Sequence, residues 1–231
     1  MDMDRIGFSD GIELFDESIS PSTMGMVVDY MVRFDQGAPA SEAFMISIRG
    51  AEICNRGEEA NSYLEHIKGL DDDSIINACR LVWFDQVFRT GIIGFGDPLD
   101  EVLNHETCEN VRTMVKRAAT FFKRFGPVVE DGPVFLGGYT DLIVSGDGDF
   151  TTKDTIWDFK VSKNEPTIYN TLQIAIYYLM AHHSIVPSYR SLTKIGIFNP
   201  RLNVAYILDM SNVPAQLVEE IETSVIGYKE K

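Results

Sequence analysis

The dipeptide Gly126-Pro127 divides the chain into two parts with different hydrophobic patterns. Before it, apolar residues recur at helix-like spacing, and the last and longest of these patterns covers 99–125. After it come short runs rich in β-branched and aromatic residues, separated by glycines, and one long helical stretch at 166–183. This order of elements predicts an α/β domain with a helical region in front.

The predicted elements follow from these patterns. In the first part we expect helices over 24–34, 41–53, 57–67 and 71–89, with a glycine-rich connection over 91–97. In the second part we expect strands over 128–130, 134–144 and 156–162, a hairpin of 194–198 and 204–210, and a final helix after Pro214. The sequence therefore predicts a helical region, 1–98, that caps or flanks a sheet-containing core, 99–231.

The chain contains no apolar run near the roughly 20 residues that span a bilayer. Its first residues, Met1-Asp-Met-Asp4, lack the basic start and apolar core of a signal peptide. Three widely spaced cysteines, Cys54, Cys79 and Cys108, suggest no disulfide framework. We therefore expect a cytoplasmic protein with reduced thiols that does not enter a membrane.

A predicted strand at 155–162 carries the most informative pattern. Alternation places Asp158 and Lys160 on one face, and the large apolar side chains Trp157 and Phe159 on the other. The apolar face is suited to a core. The opposite face combines a carboxylate, which can bind a hard divalent cation, with an ammonium group that can act on a nearby phosphate.

Two further elements carry polar residues toward the same region. Asp141 lies within the apolar run 134–144, where a charged group needs a partner or a metal, although each aspartate alone also fits a turn or a strand edge. If the two strands are antiparallel neighbours, Asp141 lies beside Asp158. Gln173 and Tyr177 are four residues apart and share one face of the helix that follows.

Three motifs thus occur in order: Gly138-x-x-Asp141, Asp158-Phe-Lys160 and Gln173-x-x-x-Tyr177. Together they resemble the RecB-like branch of the PD-(D/E)XK nucleases, over about a third of the chain, 128–210. The resemblance implies a restriction-endonuclease-like core, a mixed central β-sheet flanked by helices. It also implies a DNA nuclease, more often an exonuclease, that acts in recombination, repair or defence by a phage or other mobile element.

The same resemblance implies a role for each motif residue. Asp141, Asp158 and the backbone carbonyl of Phe159 would bind Mg²⁺ or Mn²⁺. Lys160 would be the catalytic lysine, and Gln173 and Tyr177 would line the site and hold the DNA strand. Glu130 resembles an acidic position on the first strand, and it is equally well explained as a solvated strand end.

The sequence also departs from the family pattern. Many members carry a histidine on an upstream helix, where the similar frame 56–65 has Asn61. His66 and His105 could replace that ligand, but both are better explained as helix-surface residues. Some relatives bind an iron–sulfur cluster through four cysteines, which three cysteines cannot supply.

The charge balance is unusual for a protein that binds nucleic acid, because 20 Lys and Arg stand against 35 Asp and Glu, a net charge of −15. The stretch 110–129 is an exception, with five basic residues and no acidic one. Its Arg112, Lys116 and Lys123 share a helical face that could contact phosphates, or could be a solvated basic face. A partner protein or a second copy of the chain could complete the DNA-binding surface.

We therefore expect a nuclease that hydrolyses linear single- or double-stranded DNA with metal-activated water. The alternative is a catalytically silent nuclease-fold protein that binds a partner, or mimics DNA, through its acidic surface. The net charge of −15 and Asn61 favour that alternative, whereas Asp141, Asp158 and Lys160 favour the nuclease. A third interpretation is an unrelated α/β domain in which the motifs occur together by accident.

Overall fold

A computed structural model describes residues 2–92 and 103–229, and the chain divides into two compact units. The sheet unit comprises Met1–Ser9 and Phe121–Lys231, and the helical unit comprises Asp10–Thr120. The predicted boundary between 98 and 99 lies outside the described residues. The observed division falls after Thr120, within a helix, and it assigns the amino-terminal segment to the sheet unit.

The helical unit is built of helices, as the spacing predicted, although the predicted helices 41–53 and 71–89 are each interrupted, at Phe44 and at Trp83-Phe84. Its helices are α1 (Pro21–Asp35), α2 (Ala40–Ala43), α3 (Met45–Ile53), α4 (Gly57–Glu65), α5 (Asp72–Val82), α6 (Asp85–Thr90) and most of α7 (His105–Phe125). The Asp71 side chain accepts the Ser74 amide at 3.0 Å and so caps α5, as its position predicted. The predicted start of α7 at 99 and most of the connection 91–97 lie outside the described residues.

The sheet unit is built on six strands: β1 (Asp4–Gly7), β2 (Glu130–Asp131), β3 (Phe150–Thr151), β4 (Thr155–Phe159), β5 (Lys194–Asn199) and β6 (Val204–Asp209). Their order in the sheet is β1-β6-β5-β4-β3-β2, with β4 and β5 parallel and the other neighbours antiparallel. Helix α8 (Ile168–His183) connects β4 to β5, and α9 (Ala215–Glu220) continues as a π-helical segment, Ile221–Ile226. The predicted α/β class with a mixed sheet flanked by helices is confirmed.

The two faces of the sheet bury different side chains. On one face Ile174 and Leu179 of α8 pack in a core that includes Ile156 of β4. On the other face the Phe121 ring lies 4.8 Å from the Trp157 ring, centroid to centroid. Asp158 therefore points to the side opposite Trp157, as the alternation predicted.

The predicted strand over 134–144 is wrong. Val134 forms one isolated bridge with Asp147, and the rest of the segment follows turns and bends. Its backbone lies against the end of α8, because a Cβ added at Gly138 would come 2.2 Å from the carbonyl oxygen of Met180. Such close packing against a helix end replaces strand pairing.

Two more corrections concern strand limits. The strand predicted over 156–162 ends at Phe159. β1 lies in a part of the chain predicted to be helical, where it pairs antiparallel with β6 from Asp4 opposite Ile207 to Gly7 opposite Val204. In the described parts of the chain, no helix is long and apolar enough to cross a membrane.

Candidate active site

The carboxyl end of β4 holds Asp158 and Lys160 together. Asp158 is on β4, between β3 and β5, and only 4% of its surface is exposed. Lys160 follows the strand, and its backbone amide donates to the carbonyl of Phe198 at 3.0 Å. The Lys160 Nζ lies 3.0 Å from Oδ1 of Asp158, so the two predicted residues form a largely buried ion pair.

The second carboxylate oxygen of Asp158 has no hydrogen-bond partner among the described residues. Oδ2 is buried and accepts no hydrogen bond from any described residue. Burial raises the pKa of Asp158, while the charge of Lys160 and its hydrogen bond act to lower it. A buried neutral polar group without a hydrogen-bond partner costs about 1–3 kcal/mol of stability, and a buried charged group costs more. A bound cation would remove this cost, so Oδ2 is suited to a cation.

Helix α8 adds Gln173 and Tyr177 to this pair. Lys160 Nζ donates to Oε1 of Gln173 at 3.4 Å, and Nε2 of Gln173 donates to the Tyr177 hydroxyl at 3.1 Å. The structure thus brings four of the predicted site residues into one connected chain, from Asp158 to Tyr177. The i, i+4 spacing on α8 makes the last of these contacts possible.

The hydroxyl of Tyr177 lies in a negative field. Burial raises its pKa, the hydrogen bond from Gln173 acts to lower it, and the charges of Asp158, Asp147 and Asp149 raise it further. A raised pKa keeps the hydroxyl protonated at neutral pH. Tyr177 can therefore donate a hydrogen bond to an anionic ligand.

Asp149 is the residue that sequence reasoning missed. Its Oδ2 accepts the backbone amide of Phe159 at 2.5 Å, at the last residue of β4. The segment Gly146-Asp-Gly-Asp149 indicated only a turn. The available signal was its position, since this turn leads directly into β3, the antiparallel neighbour of β4.

Asp141, the other predicted metal ligand, lies in the turn region that replaces the predicted strand. Its side chain is exposed, and the neighbour of β4 on that side is β3, not the segment that contains Asp141. The preceding Thr140 bonds to the carbonyl of Ile226, so this turn packs on the carboxyl-terminal segment. Within 2–92 and 103–229, no group of three or more His, Cys, Asp or Glu side chains is arranged to hold a metal ion.

Two other predicted ligands lie on strand ends. Glu130 is on β2, where its Oε1 accepts the hydroxyl of Tyr189 at 2.8 Å. Burial raises the pKa of Tyr189, and the hydrogen bond to Glu130 raises it further. Glu130 therefore has a structural partner. Phe159, whose carbonyl is the predicted further ligand, ends β4 beside Asp158.

The remaining predicted residues lie mainly in the helical unit. Asn61 is exposed on α4. The Arg112 guanidinium is held by the Leu70 carbonyl at 2.7 Å, by Asp72 at 2.5 Å and by Glu109, which indicates a structural role.

The other predicted lysines and the two candidate histidines lie on the surface. Lys116 is exposed in the helical unit, and Lys123 is exposed on the last turn of α7 in the sheet unit. His66 bonds to the carbonyl of Ser62 at 2.7 Å, and His105 bonds to Asp72 at 2.8 Å. Both histidines are exposed on helix surfaces, as expected.

Comparison of the chain with protein-family models, with curated proteins and with solved structures finds no match.

Proposed function

We propose that the chain is a metal-dependent DNA nuclease with a restriction-endonuclease-like core, similar to the RecB-like branch. The observation that carries this proposal is the connected chain Asp158–Lys160–Gln173–Tyr177, in which Oδ2 of Asp158 is buried and finds no hydrogen-bond partner in 2–92 and 103–229. A side-chain set of this kind suits a cation and a phosphate together.

The cation would be Mg²⁺ or Mn²⁺, held by Asp158, by the Phe159 carbonyl and by a second carboxylate, for which the family resemblance favours Asp141. When bound, it would lower the pKa of a water molecule and neutralise charge on the phosphate. Oδ2 of Asp158 fits this role, because it is a buried carboxylate oxygen to which no part of the described chain donates a hydrogen bond.

The chain's own residues would bind and orient the phosphodiester. The ammonium group of Lys160 lies 3.0 Å from Asp158, where it can stabilise negative charge that develops on phosphate oxygens. Gln173 fixes the position of Lys160, and the protonated hydroxyl of Tyr177 can donate to a non-bridging oxygen. Partial burial of these groups excludes some water and strengthens each interaction.

A second candidate function is supported by the position of Asp141. In a catalytically silent protein with this fold, Asp141 has no need to approach Asp158, and it lies exposed in a turn. The net charge of −15 suits the docking of a basic partner.

Cleavage of end-labelled linear DNA, single- and double-stranded, with Mg²⁺ or Mn²⁺ separates these functions. The native chain is compared with Lys160→Ala and Asp158→Asn, and with Lys153→Ala, which removes an exposed lysine before β4. We expect metal-dependent cleavage by the native chain and Lys153→Ala, and loss of at least about 100-fold in the other two variants.

Circular dichroism establishes that each variant is folded. Failure of the native chain to cut any substrate, with no detectable metal binding, would favour the partner-binding function.

A further inference from the structure

The first turn of α8 exposes a large aromatic side chain. Tyr169 is 79% exposed and the adjacent Ile168 is 73% exposed, so neither contributes to the core. Contiguous exposed apolar surface marks binding sites more often than singly scattered residues do, and these two residues are adjacent. Tyr169 therefore invites a functional explanation.

Helix geometry places Tyr169 next to the candidate active site. Tyr169, Gln173 and Tyr177 follow one another at intervals of four residues, so they lie along one side of α8. Tyr169 is one turn beyond Gln173, about 6 Å along the helix axis. Tyr169 therefore lies one helical turn from Gln173, the residue of α8 that contacts Lys160.

The loop between β4 and α8 has a charge balance that tolerates an anionic strand. Lys160 is one-third exposed, and Lys163 is exposed. The single carboxylate of 161–167, Glu165, lies 3.5 Å from Arg5 and is thereby partly neutralised. Lys163 can therefore contact a phosphate backbone that enters here.

We infer that Tyr169 forms a stacking subsite for an unpaired nucleobase of a DNA strand whose phosphate is bound at Lys160; this rests on the proposed nuclease function. An exposed phenol ring offers a flat apolar face, and every base offers a matching π-face. In a duplex, the base faces are covered by their neighbours in the stack. The inferred substrate class is therefore a single strand or a frayed end.

Steady-state cleavage of a single-stranded oligonucleotide with Mg²⁺ tests this inference in Tyr169→Ala, Tyr169→Phe and the matched control Ile168→Ala. Loss of one base–aromatic contact should raise KM about ten-fold in Tyr169→Ala. We expect kcat to stay within about two-fold, because the Tyr169 ring would contact a base and not the reacting phosphate. Tyr169→Phe keeps the ring, so it and Ile168→Ala should behave as the native chain does.

Direct binding gives a readout that does not depend on turnover. In the Asp158→Asn background, fluorescence anisotropy of a labelled single strand should show about ten-fold weaker binding when Tyr169→Ala is added. The affinity for a blunt duplex should be unchanged. Melting temperatures should also stay unchanged, since both substituted side chains are exposed.

The outcomes separate the two proposals. If the native chain cleaves DNA but Tyr169→Ala and Ile168→Ala have equal KM values and equal affinities, the stacking subsite is refuted and the nuclease stands. If Tyr169→Ala weakens duplex binding as much as single-strand binding, the assignment to unpaired bases is wrong. If the native chain cleaves nothing, the nuclease function fails, and equal affinities of the two variants then reject the subsite as well.

Discussion

Oδ2 of Asp149 accepts the backbone N–H of Phe159 at 2.5 Å, although ten residues separate the two in the chain. The pairing of β3 with β4 ends at Phe150, which lies opposite Trp157. Beyond that point the Asp149 side chain, and not the backbone of β3, accepts the hydrogen bond from β4. The bond fixes the peptide group between Asp158 and Phe159. Asp149 thereby orients the ion pair of the candidate site.

The first prediction concerns this bond. Asp149→Ala removes the acceptor of the Phe159 backbone N–H. We therefore expect the free energy of unfolding to fall by about 1–3 kcal/mol. Activity should fall by about 10- to 100-fold, as is typical when a residue that orients a metal ligand is lost. Asp149→Asn keeps an oxygen acceptor and should retain most of both properties.

Urea denaturation and cleavage assays on the two variants measure these effects. Equal loss of activity in the Ala and Asn variants, without loss of stability, would mean that the charge of Asp149 matters and the hydrogen bond does not.

The second prediction follows from the burial of Asp158. Burial raises its pKa above the usual 3.8, so the folded protein holds this proton more tightly than the unfolded chain does. The stability that this group contributes is therefore present at low pH and is lost as pH rises through the raised pKa. Asp158→Asn should remove this part of the pH dependence.

Thermal unfolding between pH 4 and pH 8 measures the effect, with and without Mg²⁺. Because a bound cation compensates a buried anion, Mg²⁺ should raise the Tm of the native chain and leave that of Asp158→Asn unchanged. Equal shifts in both proteins would place the metal elsewhere.

The third prediction tests the role that the family resemblance implies for Asp141. Its side chain is exposed in a turn, so Asp141→Ala should change stability by less than about 0.5 kcal/mol. As a metal ligand, Asp141 should nevertheless be needed for cleavage and for the Mg²⁺-induced rise in Tm. Ser145→Ala, an exposed substitution nearby, is the matched control. Full activity of Asp141→Ala would exclude Asp141 from the site.

The fourth prediction concerns the helical unit, where Asp85 is fully buried on α6. It accepts the Tyr30 hydroxyl at 2.6 Å and a short hydrogen bond from Ser47, and burial raises its pKa. Tyr30→Phe removes one donor and should destabilise the protein by about 1–3 kcal/mol.

The loss in Tyr30→Phe should be larger at pH 8 than at pH 4, because the ionised carboxylate needs the donor more than the protonated one does. Urea denaturation at the two pH values provides the comparison. Tyr169→Phe removes the same hydroxyl from an exposed position and should have no effect on stability. A loss that does not change with pH would show that Asp85 stays neutral throughout.

Local periodicity predicted the two residue pairs that form the connected chain. Asp158 and Lys160 are two residues apart at a strand end, and Gln173 and Tyr177 are four apart on a helix, so each pair follows from one element. Their joining through the contact between Lys160 and Gln173 depended on α8 packing over β4, which the apolar residues of both elements favoured.

Other parts depended on tertiary packing that the sequence does not reveal. The run 134–144 has the composition of a strand, yet its glycines let it turn against the end of α8. β1 carries Asp4 and Arg5 in an exposed edge strand, which lacks the apolar alternation of a buried strand. Asp149 resembled a common turn residue, because aspartates in Gly-Asp-Gly segments often serve only the turn.

The parallel pairing of β4 with β5 sets the smallest fragment that can contain this site, and the smallest unit that could be grafted onto another protein. Parallel strands cannot be joined by a hairpin, so α8 must cross over before Lys194–Asn199 can dock beside Thr155–Phe159. A fragment that ends before Lys194 contains every residue of the connected chain, but it lacks the strand whose Phe198 carbonyl holds Lys160. A minimal graft of this chemistry onto another scaffold therefore has to carry the whole strand–helix–strand unit.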